Sequence, residues 1–215
     1  ETVFTSSGTT GTEASRHYVC STALYDEAFT RGFERFYGAA EGWSIFALLP
    51  SYMERSGSSL VWMVERLQAK NGACGGFYLY DHDKLTVDLE IAAQRGEKIL
   101  LIGVSFALLD YAEYLSGRGI ALRLPADAVV METGGMKGRR REVSRETMHD
   151  AFRHAFGVER VHSEYGMTEL LSQAYSTGEG LFRCPPWMRV ATRDLQSPLQ
   201  PIPAGETGGI DVIDL

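Results

Sequence analysis

Cysteine is scarce in this 215-residue chain: Cys20, Cys74 and Cys184 are three, odd in number and far apart, so they indicate neither a disulfide framework nor a zinc site. Such usage leads us to expect a reducing, cytoplasmic setting. No apolar run approaches the ~20 residues of a membrane span, and no basic-then-apolar signal opens the chain. An excess of positive charge is also lacking, since 21 Lys and Arg stand against 28 Asp and Glu for a net charge of −7. A general nucleic-acid or anionic-membrane surface is thereby disfavoured, and small molecules or proteins are the expected partners. An initiator Met is missing and the sequence stops abruptly on "GGIDVIDL", so the chain is expected to be a piece of a longer protein.

What is present is a regular alternation of strand-like and helix-like segments. Apolar positions Tyr18, Leu24, Tyr25, Ala28, Phe29, Phe33 and Phe36 recur at three-to-four spacing and predict a helix ending near Gly38. "WSIFALLP" (43–50), "GFYLY" (76–80), "KILLIGV" (98–104), "AVVMET" and "RVHSEYG" predict strands. Between them "SSLVWMVERLQAK", "KLTVDLEIAAQRG", "FALLDYAEYLSG" and "SRETMHDAFRHAFG" predict helices, the last capped by Ser144. The expected fold is therefore α/β, a mostly parallel sheet flanked by helices. Beyond Arg183, "WMRVAT" and "GGIDVID" predict an antiparallel β segment appended to that sheet.

The opening "TVFTSSGTTGTEASRH" packs hydroxyls and glycines into the run from Thr5 to Gly11. It is either an unstructured end or an anion cradle, in which glycine lets backbone amides and hydroxyls approach phosphate oxygens. The lysine-bearing phosphate loop is excluded, because Gly11 is followed by Thr12 and Glu13. Two further stretches follow predicted strands, "METGG" (131–135) and "SEYGMTE" (163–169). Ligands of open α/β sheets lie at the carboxyl ends of strands, so the site is expected where these three loops meet on one sheet edge.

"TSSGTTGT" followed far downstream by "YGMTE", with "GG" between them and "GETGGIDV" after, resembles the adenylate-forming superfamily of acyl- and aryl-CoA ligases and luciferase-like enzymes. "FTSSGTTG" with "SRH", "LLPSYMERSGSSLVWMV", "TGGMKGR", "YGMTELLSQAY" and "CPPWMRV" resemble most the branch typified by the acyl-protein synthetase of bacterial luminescence. The likeness spans essentially the whole chain. It implies an adenylate-forming large-domain core, with residues 1–182 as the α/β part, 183–215 as a β segment of the same domain, and a small C-terminal lid absent.

The resemblance also implies roles. Thr5, Ser6, Ser7, Gly8, Thr9, Thr10 and Gly11 would hold the β- and γ-phosphates of ATP. Gly134 and Gly135 would lie against adenine and the acyl group, with Tyr165 stacked on adenine beside Gly166 and Met167. Thr168 would donate to the α-phosphate, and Glu169 would bind Mg²⁺. The implied reaction turns a long-chain carboxylic acid and ATP into acyl-AMP and pyrophosphate, then transfers the acyl group to a protein cysteine. A fatty acid is the implied substrate, and an acyl-CoA or acyl-protein reductase the implied partner. An acyl- or aryl-CoA ligase related to phenylacetate-CoA ligase, and an inactive nucleotide-binding module, are the alternatives. One departure stands out: most superfamily members carry Pro-Lys after the loop, whereas this chain has "TEASRH", leaving Arg16 or Ser15 in the lysine's place.

Plainer readings compete at several positions. Glu169 could sit at a helix N-terminus without a metal, and Tyr165 could be core. "KGRRR" (137–141) is expected to be a solvated turn, "DHD" (81–83) a helix cap, and Cys184 a structural thiol. "GSSLVWMV" and "GVSFALLDY" offer apolar lining for an acyl chain, as they would for a core.

Overall fold

The computed structural model describes residues 2–6, 14–50, 57–70, 74–134, 143–197, 199–203 and 205–215. The continuous apolar runs become the centre of the sheet. In β3 (Trp43–Leu48) every residue is buried, and in β5 (Lys98–Val104) every residue after Lys98 is buried. Strands covered on both faces read as unbroken apolar runs. With β4 (Gly75–Phe77), β6 (Val129–Thr133), β7 (Val161–Tyr165) and β8 (Ala174–Ser176) they form a six-stranded sheet in the order β4-β3-β5-β6-β7-β8. The first five run parallel and β8 is antiparallel to β7.

The chain leaves β3 toward β4 on one side and returns to β5 on the other, which makes a switch point between β3 and β5. A crevice outside the carboxyl ends of the strands follows from that topology.

Helices cover both faces. On one lie α1 (Ala23–Tyr37) and α2 (Ser59–Ala69), with Phe33 and Tyr37 of α1 meeting the Trp43 ring edge-on at 6.0 and 6.3 Å. On the other, α3 (His82–Gln94), α4 (Ser105–Gly117) and α5 (Arg145–Phe156) join through Thr86–Tyr111 and Tyr111–Phe156 contacts. Caps match the local sequence: Ser144 accepts from Thr147 N at 3.2 Å, and Asp81 accepts from Lys84 N at 2.9 Å. The "DHD" stretch is thus a helix start, as its plainer reading held. The basic run 137–141 lies outside the described residues.

Four expectations are corrected. The helix expected from Tyr18 begins at Ala23, because "RHYV" forms β2 (Arg16–Val19), paired antiparallel with β1 (Thr2–Thr5). Phe4 and Val19 turn inward on that ribbon and Tyr18 outward, a period of two that the three-to-four count absorbed. The glycine- and threonine-rich run therefore connects a separate β-ribbon, not a strand of the main sheet and a helix. "GFYLY" is a strand only to Phe77, and Tyr80 is exposed. β8, three residues long, gave no periodic signal. The C-terminal strands β9 (Arg189–Arg193) and β10 (Gly209–Ile213) pair antiparallel as expected, but as a sheet of their own.

A titratable group is built into the α1 face. The Tyr37 hydroxyl lies 3.2 Å from His162 Nδ1, and burial, followed by the nearby Arg160 charge, holds the imidazole down from 6.5 to about 4. The unfolded chain takes up that proton below the ordinary value, whereas the folded one waits until about 4. His162 therefore lets stability fall as pH drops from about 6.5 to about 4, and has no such effect above that window. His162→Asn is expected to flatten this part of the profile. Urea midpoints across the window check it, and equal slopes for the two proteins would rule His162 out as the cause.

Candidate active site

The loop after β7 carries the residues singled out in "YGMTE". At the strand's end the Glu164 carboxylate packs close over Gly166, where a Cβ would lie 2.6 Å from Glu164 Oε1 and displace it. The next residues form a turn closed by Leu170 N to Met167 O at 3.1 Å. No helix starts here, so a helix N-terminus does not explain Glu169. Beyond the turn, the Asp214 carboxylate accepts from Leu171 N at 2.8 Å and Ser172 N at 2.9 Å. The C-terminal ribbon thus anchors this loop.

Tyr165 is half-buried, its hydroxyl 3.2 Å from Met167 Sδ and its ring edge-on to Phe182 at 6.3 Å. Thr168 is half-buried, while Met167 and Glu169 are exposed. At the end of β6, Gly134 turns with a positive φ of 65°, a conformation that glycine adopts without strain, and its carbonyl accepts from Ser105 Oγ at 3.3 Å.

These loops meet the β1–β2 ribbon across a cleft of about 550 Å³. Thr5, Ser6 and Ser15 enter from the ribbon; Gly134 and the whole of 164–169 enter from the sheet. Ser7, Gly8, Thr9, Thr10, Gly11 and Gly135 lie outside the described residues. Ser15 and Arg16 are placed differently. Ser15 lines the cleft, whereas Arg16 is exposed on β2 and does not.

Ser15 is also bonded on all sides. Its carbonyl accepts from Ser6 N at 3.0 Å, its amide donates to Ser6 Oγ at 2.9 Å, and its hydroxyl donates to Glu169 Oε1 at 2.6 Å.

The cleft floor was not foreseen. Thr133 Oγ1 donates to the buried Glu164 carboxylate, and Tyr25 and Gln173 line the same wall. Burial and the Glu164 charge push the Tyr25 phenol up, so it stays protonated and donates to Ser59 O at 2.9 Å. A sequence signal existed: Glu164 adjoins Tyr165, and strand alternation turns it away from Ser163. The opposite face of β6 holds Glu132, which accepts from Ser105 Oγ at 2.9 Å and lies 3.7 Å from His149 Nε2. Burial raises this carboxyl, but hydrogen bonds and the His149 charge outweigh it and leave it below the ordinary value.

The apolar wall comes from Leu49, Pro50, Leu60, Val61, Met63 and Val104. "GSSLVWMV" supplies its share, whereas of "GVSFALLDY" only Val104 reaches the cleft and α4 takes most of the rest into the core. Among the described residues lining the cleft there are two carboxylates, Glu164 and Glu169, and no Lys or Arg. No described group of three or more His, Cys, Asp or Glu could hold a metal by itself. One exposed carboxylate among hydroxyls fits Mg²⁺ in the form in which it arrives on nucleotide phosphates, held by one or two protein oxygens.

No family model and no curated protein matches the sequence. Solved structures do match. An open form of 2-hydroxyisobutyryl-CoA ligase in complex with 2-HIB-AMP and CoA is similar over 98% of this chain and 47% of its own, with TM-score 0.62 and 14% identity. McyG A-PCP complexed with phenylalanyl-adenylate matches over 98% of this chain and 39% of its own, with TM-score 0.68 and 15% identity. The fold is that of the adenylate-forming enzymes. An adenylation domain of a keto acid-selecting NRPS module, bound to keto acyl adenylate, matches over 99% of this chain and 37% of its own, with TM-score 0.54 and 13% identity. The chain spans less than half the length of each of these structures. Among the described residues no helix is long and apolar enough to cross a membrane.

Proposed function

We propose that this protein activates a carboxylic acid with ATP. A substrate carboxylate oxygen attacks the α-phosphorus, the bond to the bridging oxygen of the β-phosphate breaks, and acyl-AMP and pyrophosphate result. One observation carries this reading: the hydroxyl-rich ribbon end, with Thr5, Ser6 and Ser15, faces Gly134, Tyr165, Thr168 and Glu169 across a single cleft. The Thr5 and Ser6 hydroxyls there suit phosphate oxygens, the Tyr165 face suits a purine, and the Thr168 hydroxyl suits charge developing at the α-phosphate. Mg²⁺ brought by the nucleotide would be held through Glu169 and would neutralise phosphate charge. Ser7, Gly8, Thr9, Thr10 and Gly11 complete the phosphate cradle in this proposal, and Gly135 the wall beside adenine.

The acid we propose is a long-chain fatty acid, lodged against Leu60, Val61, Met63 and Val104, and the acceptor is a protein cysteine. A reductase of the acyl-protein or acyl-CoA would be the partner, in the cytoplasm. An acyl-CoA ligase is the second reading, favoured by the CoA in the complex of 2-hydroxyisobutyryl-CoA ligase. ATP–pyrophosphate exchange across acids of increasing length tests the first step, and labelled acid offered with CoA or with a thiol protein separates the acceptors. Exchange that rises with chain length is expected. No exchange with any acid would leave a nucleotide-binding module without catalysis.

A further inference from the structure

We infer that Ser15 is a positioning residue that sets the Glu169 carboxylate for the nucleotide's divalent cation. The inference rests on the reading of Glu169 as the carboxylate that meets Mg²⁺. Its support is geometric. The Ser15 hydroxyl donates to Glu169 Oε1 at 2.6 Å, the short distance of a bond to a charged acceptor, across 154 positions of sequence. Ser15 is itself held, its amide and carbonyl both bonded to Ser6, at 2.9 and 3.0 Å. The first is to the Ser6 hydroxyl and the second is a backbone bond just beyond the last ribbon pair, Thr5↔Arg16. The hydroxyl is therefore presented from the residue next to β2, at the end of the ribbon.

The need for such a clasp follows from exposure. Glu169 stands on a solvent-facing turn, where an unrestrained side chain samples several rotamers and each must be given up on metal binding. A donor fixed on Oε1 removes that freedom and leaves Oε2 and the remaining lone pairs for the cation. Carboxylate ligands are commonly oriented by such partners, whose loss costs about tenfold or more in metal affinity or activity. The clasp also joins the chain that follows the phosphate loop, at the start of β2, to the turn that carries Thr168.

The test uses the full chain as wild type, Ser15→Ala and Ser15→Thr, with Mn²⁺ as the metal probe. Free Mn²⁺ is followed by electron paramagnetic resonance in the presence of ATP, ATP binding is measured in EDTA, and exchange is measured across a Mg²⁺ titration. Ser15→Ala is expected to raise half-saturating Mn²⁺ about tenfold, with metal-free ATP binding and thermal midpoint unchanged. Ser15→Thr keeps the hydroxyl and is expected to stay within about twofold of wild type. Wild-type Mn²⁺ affinity in Ser15→Ala would overturn the inference, as would an equal loss in Ser15→Thr or a matching loss of metal-free ATP binding. A shifted Mn²⁺ affinity without exchange on any acid would keep the clasp and remove the adenylation reading. Exchange with no shift would do the reverse.

Discussion

Replacing Glu169 by Gln is expected to lower Mg²⁺-dependent pyrophosphate release by roughly a hundredfold or more, while the fold is unchanged. A metal at phosphoryl chemistry supplies several kcal/mol of transition-state stabilisation, and each ~1.4 kcal/mol is tenfold in rate. The amide keeps the shape of the carboxylate and the acceptor for the Ser15 hydroxyl, but loses the charge that attracts the cation. Because the cleft's described lining offers no Lys or Arg, nothing described there can substitute for that charge balance. Folding should be spared, since Glu169 is exposed and packs into no core. The measurement is acid-dependent pyrophosphate release over a Mg²⁺ titration, beside circular dichroism of both proteins. Full activity of the variant across the titration would remove Glu169 from the metal site.

Phe46→Ala is expected to bring the largest loss of stability. Phe46 is fully buried in β3, bordered by β4 and β5, and its ring stacks on Tyr78 at 5.9 Å. Neighbouring strands hold the backbone on both sides, so the sheet cannot collapse into the space left by the ring. Removing a buried Phe costs about 3–5 kcal/mol, a large share of the roughly 5–15 kcal/mol that keeps a domain folded. For a chain of this size that corresponds to a fall of about 10 °C in thermal midpoint. Calorimetry or a urea transition checks it. A loss under about 1 kcal/mol would mean that β3 is not the rigid centre of the sheet.

The parallel core was legible because its signals are local. "KILLIGV" is an unbroken apolar run between turn residues, and it becomes β5 over the same seven residues. Ser144 and Asp81 were legible as caps, since a short polar side chain before an apolar-periodic stretch satisfies the first free amides. β2 was not legible: four residues are too few to separate period two from period three to four, and Tyr18 fits either count while its side chain faces solvent. β8 is shorter still.

For the site, chemistry and position divided in the same way. By itself the sequence determined which loops carry hydroxyl, glycine and carboxylate chemistry, because "TSSGTTG", "TGG" and "YGMTE" are contiguous and their spacing needs no fold to be read. Tertiary structure alone decided that Thr5 and Ser6, where the first of these stretches begins, stand on a separate ribbon and still face the end of the main sheet. It decided that Ser15, not Arg16, reaches the cleft, that Glu164 and Thr133 form its floor, and that Asp214 pins the turn bearing Glu169. The reason is distance along the chain. A hydrogen bond such as Ser15 to Glu169 joins residues 154 positions apart, and no local pattern encodes a partner that only the closing of the sheet brings within reach.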